Sequence, residues 1–130
     1  MTLDAPPRLP RTLYIVQNHE ALGRSWARYF EQFFANVAST ARPEAVQAWL
    51  DDAPKMPVDV VCGAAFDDDD GRSGLQWVKR FHAHPAVSRV VLATAAPIAR
   101  CAEADLIVHK PMSPARILSF LQGEPARGAA

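Results

Sequence analysis

The chain is dominated by short apolar runs, each ending in a polar or glycine-containing turn, and this pattern restricts its fold more than any other feature. Runs rich in β-branched residues lie at 12–16, 58–63, 87–95 and 105–109, and a weaker one lies at 35–40. Continuous apolar strands of this length are typical of a parallel sheet whose two faces are both covered. The sequence therefore predicts five strands of a buried parallel sheet.

Segments with helical periodicity separate these runs. Leu22, Trp26 and Phe30 recur at steps of four residues, which indicates an amphipathic first helix beginning near Ala21. Further helices are predicted at 42–52, at 75–82 and at 113–123, and the segment 97–104 allows only a short helix or an irregular turn. Five strands that alternate with five helices through short connections predict right-handed βαβ units.

Length and charge limit the classes of protein to which the chain can belong. With 130 residues it fits one domain, and its 14 basic residues balance 14 acidic ones, so no strong field favours nucleic acid or an anionic membrane. No apolar run reaches the roughly 18 residues of a membrane helix, and no hydrophobic segment follows the N-terminal charges as in a signal peptide. We expect a soluble cytoplasmic protein with a proline-rich leader at 1–11, a domain at 12–122 and a flexible tail at 123–130.

Four junctions follow the carboxyl ends of the predicted strands, where open parallel sheets bind their ligands. These junctions, at 17–20, 63–74, 94–97 and 109–111, resemble the receiver domain of response regulators. The motif "VVLATA" is similar to the family's fourth strand and places Thr94, whereas "ADLIVHKP" is similar to its fifth strand and places Lys110. The resemblance spans about residues 12–122 and implies a flavodoxin-like, doubly wound α/β fold with strand order 2-1-3-4-5 and helices on both faces. Thr94 and Lys110 are only 16 positions apart, fewer than in the family, and this departure predicts a shortened fourth helix.

The resemblance also implies a chemistry, because family members bind Mg²⁺ through two acids after the first strand and phosphorylate an aspartate at the end of the third. Phosphoryl transfer needs an anionic nucleophile and a hard cation with oxygen ligands. Here the positions of the two acids correspond to Asn18 and His19, with Glu20 next to them, and the acceptor position corresponds to Ala64. Alanine has no nucleophile, so the resemblance indicates a degenerate pocket.

Four consecutive aspartates at 67–70 follow this position, and they leave three interpretations open. They form a solvated loop, a cation site, or a displaced acceptor in which Asp67 takes the phosphoryl group. Adjacent carboxylates repel one another and prefer water or a cation, so the solvated loop is favoured. The weak metal candidates are Glu20, Asp67 and Asp68, and we expect no resident metal.

Thr94 and Lys110 also allow two interpretations. They could bind an anion, or they could be inherited scaffold residues in which Lys110 pairs with Glu20 or a loop aspartate; the second is favoured. Aromatic residues crowd the first helix more densely than one buried stripe requires. Trp26, Phe30 and Phe33 are assigned to the core, and Tyr29 and Phe34 are candidates for a partner surface.

The combined expectation is a phosphorylation-independent pseudo-receiver, which acts as a protein-interaction module in two-component signal transduction and is not an enzyme. Its partners would be signalling proteins, such as a histidine kinase or another regulator, or a second copy of the chain; nucleic acid and membrane are not expected. No cofactor is expected. The alternative is an active receiver that uses Asp67 with Mg²⁺, and an unrelated small-molecule binder ranks last because no glycine-rich phosphate loop is present.

Overall fold

The computed structural model describes residues 8–63, 72–95, 100–110 and 113–123. Strands and helices alternate along most of the chain, as the periodicity predicts. The strands are β1 (Leu9–Val16), β2 (Phe34–Thr40), β3 (Val58–Gly63), β4 (Val87–Thr94) and β5 (Leu106–His109). The helices are α1 (Glu20–Phe30), α2 (Pro43–Asp51), α3 (Arg72–Ala83) and α4 (Pro114–Gly123).

The five strands form one parallel sheet in the order β2-β1-β3-β4-β5. The chain moves outward from β1 to β2, returns across β1 to β3, and then continues to β4 and β5. The direction of winding therefore reverses between β1 and β3. This is the flavodoxin-like, doubly wound arrangement expected above, and it places the carboxyl ends of all five strands at one edge.

Both faces of the sheet are covered, and side chains alternate between them. Leu13, Val61 and Val91 face one core, which also contains residues of α1 and α4. Val60 and Leu92 face the other core, which contains residues of α2 and α3. Every residue of β3 is buried because this central strand has neighbours in the sheet and helices on both faces.

The first helix is shorter than the aromatic pattern suggests. It ends at Phe30, and Phe33 lies in the following turn, where it is partly buried against the α1 core. Phe34 begins β2 with 1% of its surface exposed, so its assignment to a partner surface was wrong. The reason is that β1 begins at Leu9, earlier than expected, and pairs there with Phe34, which draws this ring into the core.

The connection between β4 and β5 contains no helix in its described part, residues 100–105, where the chain forms a turn. Asp105 attaches this turn to the sheet: its Oδ2 accepts a hydrogen bond from the Val90 amide at 2.7 Å, and its own amide donates to the Val90 carbonyl at 2.8 Å. These two hydrogen bonds fix the chain at the entry to β5. Within the described ranges, no helix is long and apolar enough to cross a membrane.

The two cysteines are both free thiols, but they differ in their access to solvent. Cys62 is fully buried in β3, and Cys101 is partly exposed. Burial, with a smaller contribution from Cys101, raises the pKa of the Cys62 thiol. Because the thiolate is the reactive form, Cys62 should be protected both by its position and by its protonation.

We expect a thiol reagent such as 5,5′-dithiobis(2-nitrobenzoate) to label one cysteine of the native protein and both after denaturation. The native site is expected to be Cys101, and Cys101→Ser should abolish the native reaction while leaving one thiol reactive in denaturant. Rapid native labelling of Cys62 in this variant would contradict the buried position of the thiol.

Candidate functional site

The carboxyl ends of β1, β3, β4 and β5 meet at one edge of the sheet. Gly63 is aligned with Ala93, and Thr94 is aligned with His109. Gln17 and Lys110 directly follow β1 and β5. This register places Gln17 and Lys110 around the end of the buried central strand β3. The carboxyl edge of the sheet around these residues is the candidate site.

Lys110 is held at this edge by three contacts. Its ammonium donates a hydrogen bond to Gln17 Oε1 at 2.7 Å, and its backbone amide donates to the Thr94 carbonyl at 2.8 Å. The Nζ atom also lies 6.0 Å from the centroid of the Trp26 ring, at the outer limit of a cation–π contact. Burial lowers the pKa of Lys110, because removal from water disfavours the charged ammonium.

Gln17 is the residue of this site that the sequence reasoning missed. It is 1% exposed, and its Nε2 atom is buried without a hydrogen-bond partner among the residues that the structure describes. Lys110 sets the orientation of the amide, because an ammonium has only donors and must face the oxygen. Residue alternation could have identified Gln17: Leu13 and Ile15 face the core of α1 and α4, so the next residue of that series belongs to the same face.

Asn18 and His19, at the positions of the family's two acids, and the adjacent Glu20 lie at the junction between β1 and α1 and are exposed. The His19 side chain caps the helix, with Nδ1 accepting a hydrogen bond from the Leu22 amide at 3.3 Å. Glu20 lies 3.6 Å from Arg24 in an exposed ion pair. Among the described residues, the Lys110 ammonium therefore bonds to the neutral Gln17, and Glu20 is paired with Arg24 instead. The predicted alternative, a pair between Lys110 and a loop aspartate, lies outside the described residues. Thr94 is 1% exposed at the end of β4, next to the Lys110 backbone.

Mg²⁺ prefers several oxygen ligands in an octahedral arrangement, and the side chains at the end of β1 can be compared with that requirement. Asn18 offers a neutral amide, the imidazole of His19 is engaged in the helix cap, and Glu20 faces a guanidinium. The described residues at the end of β1 therefore do not fit a magnesium ion. Across the described ranges of the chain, no group of three or more histidine, cysteine, aspartate or glutamate side chains is placed to hold a metal.

Several sequence-predicted positions lie outside the described residues. They are Ala64, which follows the last residue of β3, and the loop residues Asp67 and Asp68. The interpretations of the acidic loop as a solvated segment, a cation site or a displaced acceptor therefore stay predictions.

A cavity of about 310 Å³ opens beside the site, between the start of α1 and the ends of β1 and β2. Polar and apolar atoms line it in nearly equal parts, with Gln17, Arg24 and Thr40 among the residues that contact it. Thr40 already accepts a hydrogen bond from the Arg42 amide, and Arg24 is paired with Glu20. The cavity extends the crevice at the end of β1, and several of its polar side chains are already engaged in hydrogen bonds or an ion pair.

The sheet order, the two helices on each face of the sheet and the lysine after β5 are typical of the fold of a response-regulator receiver domain. A CheY-like receiver domain from Methylobacillus flagellatus superposes with a TM-score of 0.66 at 19% identity, covering 88% of this chain and 97% of that one. A receiver protein from Burkholderia phymatum gives 0.66 at 19% identity, covering 92% and 99%.

A third similar structure is the response regulator TrrA from Thermotoga maritima in complex with Mg²⁺-BeF, with a TM-score of 0.65 at 13% identity and coverage of 88% and 97%. No protein-family model matches the sequence, and no curated protein matches it. The likeness is therefore one of fold.

Proposed function

We propose that this chain is a phosphorylation-independent pseudo-receiver, which acts as a protein-interaction module in two-component-type signal transduction. It has no catalytic activity of its own in this proposal, and it works in the cytoplasm through contacts with signalling proteins. The receiver fold supports the signalling context, because the similar solved structures are response regulators.

The observation that carries the proposal is the end of β3. The strand ends at Gly63, and the next residue in the sequence is Ala64, at the position that corresponds to the family's acceptor. A methyl group cannot attack phosphorus or carry a phosphoryl group. A domain of this kind has to be regulated by something other than phosphorylation at that position.

The end of β1 supports the same conclusion independently. The side chains there are committed to local contacts, with His19 capping α1 and Glu20 paired with Arg24. Phosphoryl transfer depends on cations that neutralise charge on the transferred group. The described residues supply no such arrangement. The reaction therefore lacks both its acceptor, at Ala64, and its cation site, at the end of β1.

The partner is expected to be a protein. The formal net charge of zero gives no reason to expect a nucleic acid or an anionic membrane. A histidine kinase, another regulator or a second copy of this chain would each fit a receiver-like module. Such a partner would bind whether or not a phosphoryl donor is present.

The proposal is tested by incubating the protein with acetyl phosphate and Mg²⁺ and measuring the intact mass. We expect no gain of a phosphoryl group, whereas a receiver domain with an intact acceptor aspartate, treated in parallel, should gain one. The variant Asp67→Asn, treated in the same way, tests whether Asp67 is the acceptor. A phosphoryl adduct on the wild type that is lost in Asp67→Asn would establish the alternative, an active receiver with a displaced acceptor.

A further inference from the structure

The side chain of Gln17 occupies the space over the end of the central strand. A Cβ atom added at Gly63 would lie 3.2 Å from Gln17 Nε2, 3.3 Å from Oε1 and 3.4 Å from Cδ. The amide thus lies directly against the backbone of Gly63, and even a methyl group at this position would require it to move. Glycine at the end of β3 makes room for the glutamine.

The opposite side of Gln17 is closed by α1. A Cβ atom added at Gly23 would lie 3.5 Å from the Cβ atom of Gln17, which is an ordinary packing distance. The side chain is therefore confined between the helix and the end of β3. Within this space the amide oxygen accepts the hydrogen bond from the Lys110 ammonium at 2.7 Å.

Two unfavourable contributions to the free energy oppose the contact between Gln17 and Lys110. The Nε2 atom of Gln17 is buried without a partner among the described residues, and burial of such a donor costs free energy. The ammonium is also partly removed from water, which lowers the pKa of Lys110. A neutral amide provides a hydrogen bond to this cation but no opposite charge. The hydrogen bond of 2.7 Å is charge-assisted, and such bonds are the stronger class.

We propose that Gln17 is an internal ligand for Lys110. It holds the ammonium at the junction of β1, β3 and β5 and so positions the end of β5. The backbone amide of Lys110 extends this link to Thr94, at the end of β4. Gln17 is thus a positioning residue that acts through Lys110. The inference rests on the proposed function and deepens it, because it names the contact that would hold the end of β5 in a domain that receives no phosphoryl group.

The test compares Gln17→Met, which keeps the volume but removes the acceptor, with Gln47→Met. Gln47 is a suitable control because its side chain also makes a hydrogen bond, to Asp51 at 3.0 Å on α2, away from Lys110. Amide hydrogen exchange followed by NMR reports on the Lys110 amide. We expect its protection to fall about 10-fold or more in Gln17→Met, the size expected for loss of a hydrogen bond to a charged group, and to be unchanged in Gln47→Met.

The Thr12 amide provides an internal reference, because it donates to the Pro57 carbonyl at the opposite edge of the sheet at 3.0 Å. Its protection should be unchanged in Gln17→Met if the effect is local. An equal loss at Thr12 and Lys110 would mean that Gln17 only supports the global fold, and would overturn the inference. Unchanged exchange at Lys110 would overturn it as well.

A second readout is the titration of the Lys110 side chain, followed by the ¹³Cε signal. The chain contains three lysines, so the signal can be assigned with Lys110→Arg. In Gln17→Met the pKa of Lys110 should fall further, because the charged form loses its acceptor; in Gln17→Glu it should rise, because a carboxylate favours the ammonium. If Gln17→Met does not fold, Gln17→Glu decides the matter, and an unchanged pKa there contradicts the contact.

These outcomes are independent of the phosphorylation test. If a phosphoryl adduct forms and the Gln17 variants still change the exchange and the pKa of Lys110 as expected, the proposed function is wrong but the internal contact stands. Failure of the Gln17 variants to affect Lys110, with no phosphoryl adduct formed, would remove the internal ligand but leave the pseudo-receiver.

Discussion

Replacing Asp59 with asparagine is expected to reduce the free energy of unfolding by about 3–5 kcal/mol, because it leaves buried cations without their carboxylate. Asp59 is fully buried in β3, and its Oδ1 atom lies 2.5 Å from Arg11 Nη2 and 3.4 Å from Arg89 Nε. Arg89 is itself only 2% exposed. Asparagine keeps the shape of the side chain but removes its charge, so the guanidinium groups lose their compensation. Urea unfolding followed by circular dichroism measures the loss.

Asp51→Asn is the matched control for this measurement. Asp51 also accepts hydrogen bonds, from Gln47 at 3.0 Å and with His84 at 3.2 Å, but its side chain is 60% exposed. Pairs of this kind contribute about 1 kcal/mol or less, because water competes for both partners. Equal losses for Asp59→Asn and Asp51→Asn would show that the buried cluster stabilises the fold no more than a surface contact does.

The second large effect is expected for Phe30→Ala, which should destabilise the protein by about 3–5 kcal/mol. The Phe30 ring is fully buried at the end of α1 and makes edge-on contacts with Tyr29 and Phe34, at centroid distances of 5.2 and 6.1 Å. Its removal leaves a cavity between the helix and the sheet that rigid strands cannot fill. The same urea titration gives the change in unfolding free energy.

Phe120→Ala provides the comparison for the aromatic prediction, since Phe120 on α4 packs against the same core but is only partly buried. We expect a distinctly smaller loss, because less apolar surface returns to water and the remaining gap is open to solvent. Similar losses for the two variants would indicate that α1 can collapse into the space left by Phe30.

The site was harder to predict than the strands, for a reason that its residues make clear. Lys110 and Thr94 were placed correctly at the carboxyl edge because their dipeptide motifs follow strongly apolar strands. Gln17 lies within the predicted junction 17–20, but roles were predicted only for Asn18, His19 and Glu20, which lie at or next to the positions of the family's acids. Strand alternation does place Gln17, Gly63 and Lys110 on the face shared with α1 and α4, since they continue the series of Ile15, Val61 and Val108.

The sequence by itself determined the parallel sheet, its strand order through the resemblance to receiver domains, and the absence of a nucleophile at Ala64. Apolar runs of fixed length and a missing functional group are local properties, so they can be read from the chain directly. Only the tertiary structure decided which group binds Lys110. That choice depends on a contact of 2.7 Å between residues 93 positions apart in the chain, and on the room that Gly63 leaves for an amide.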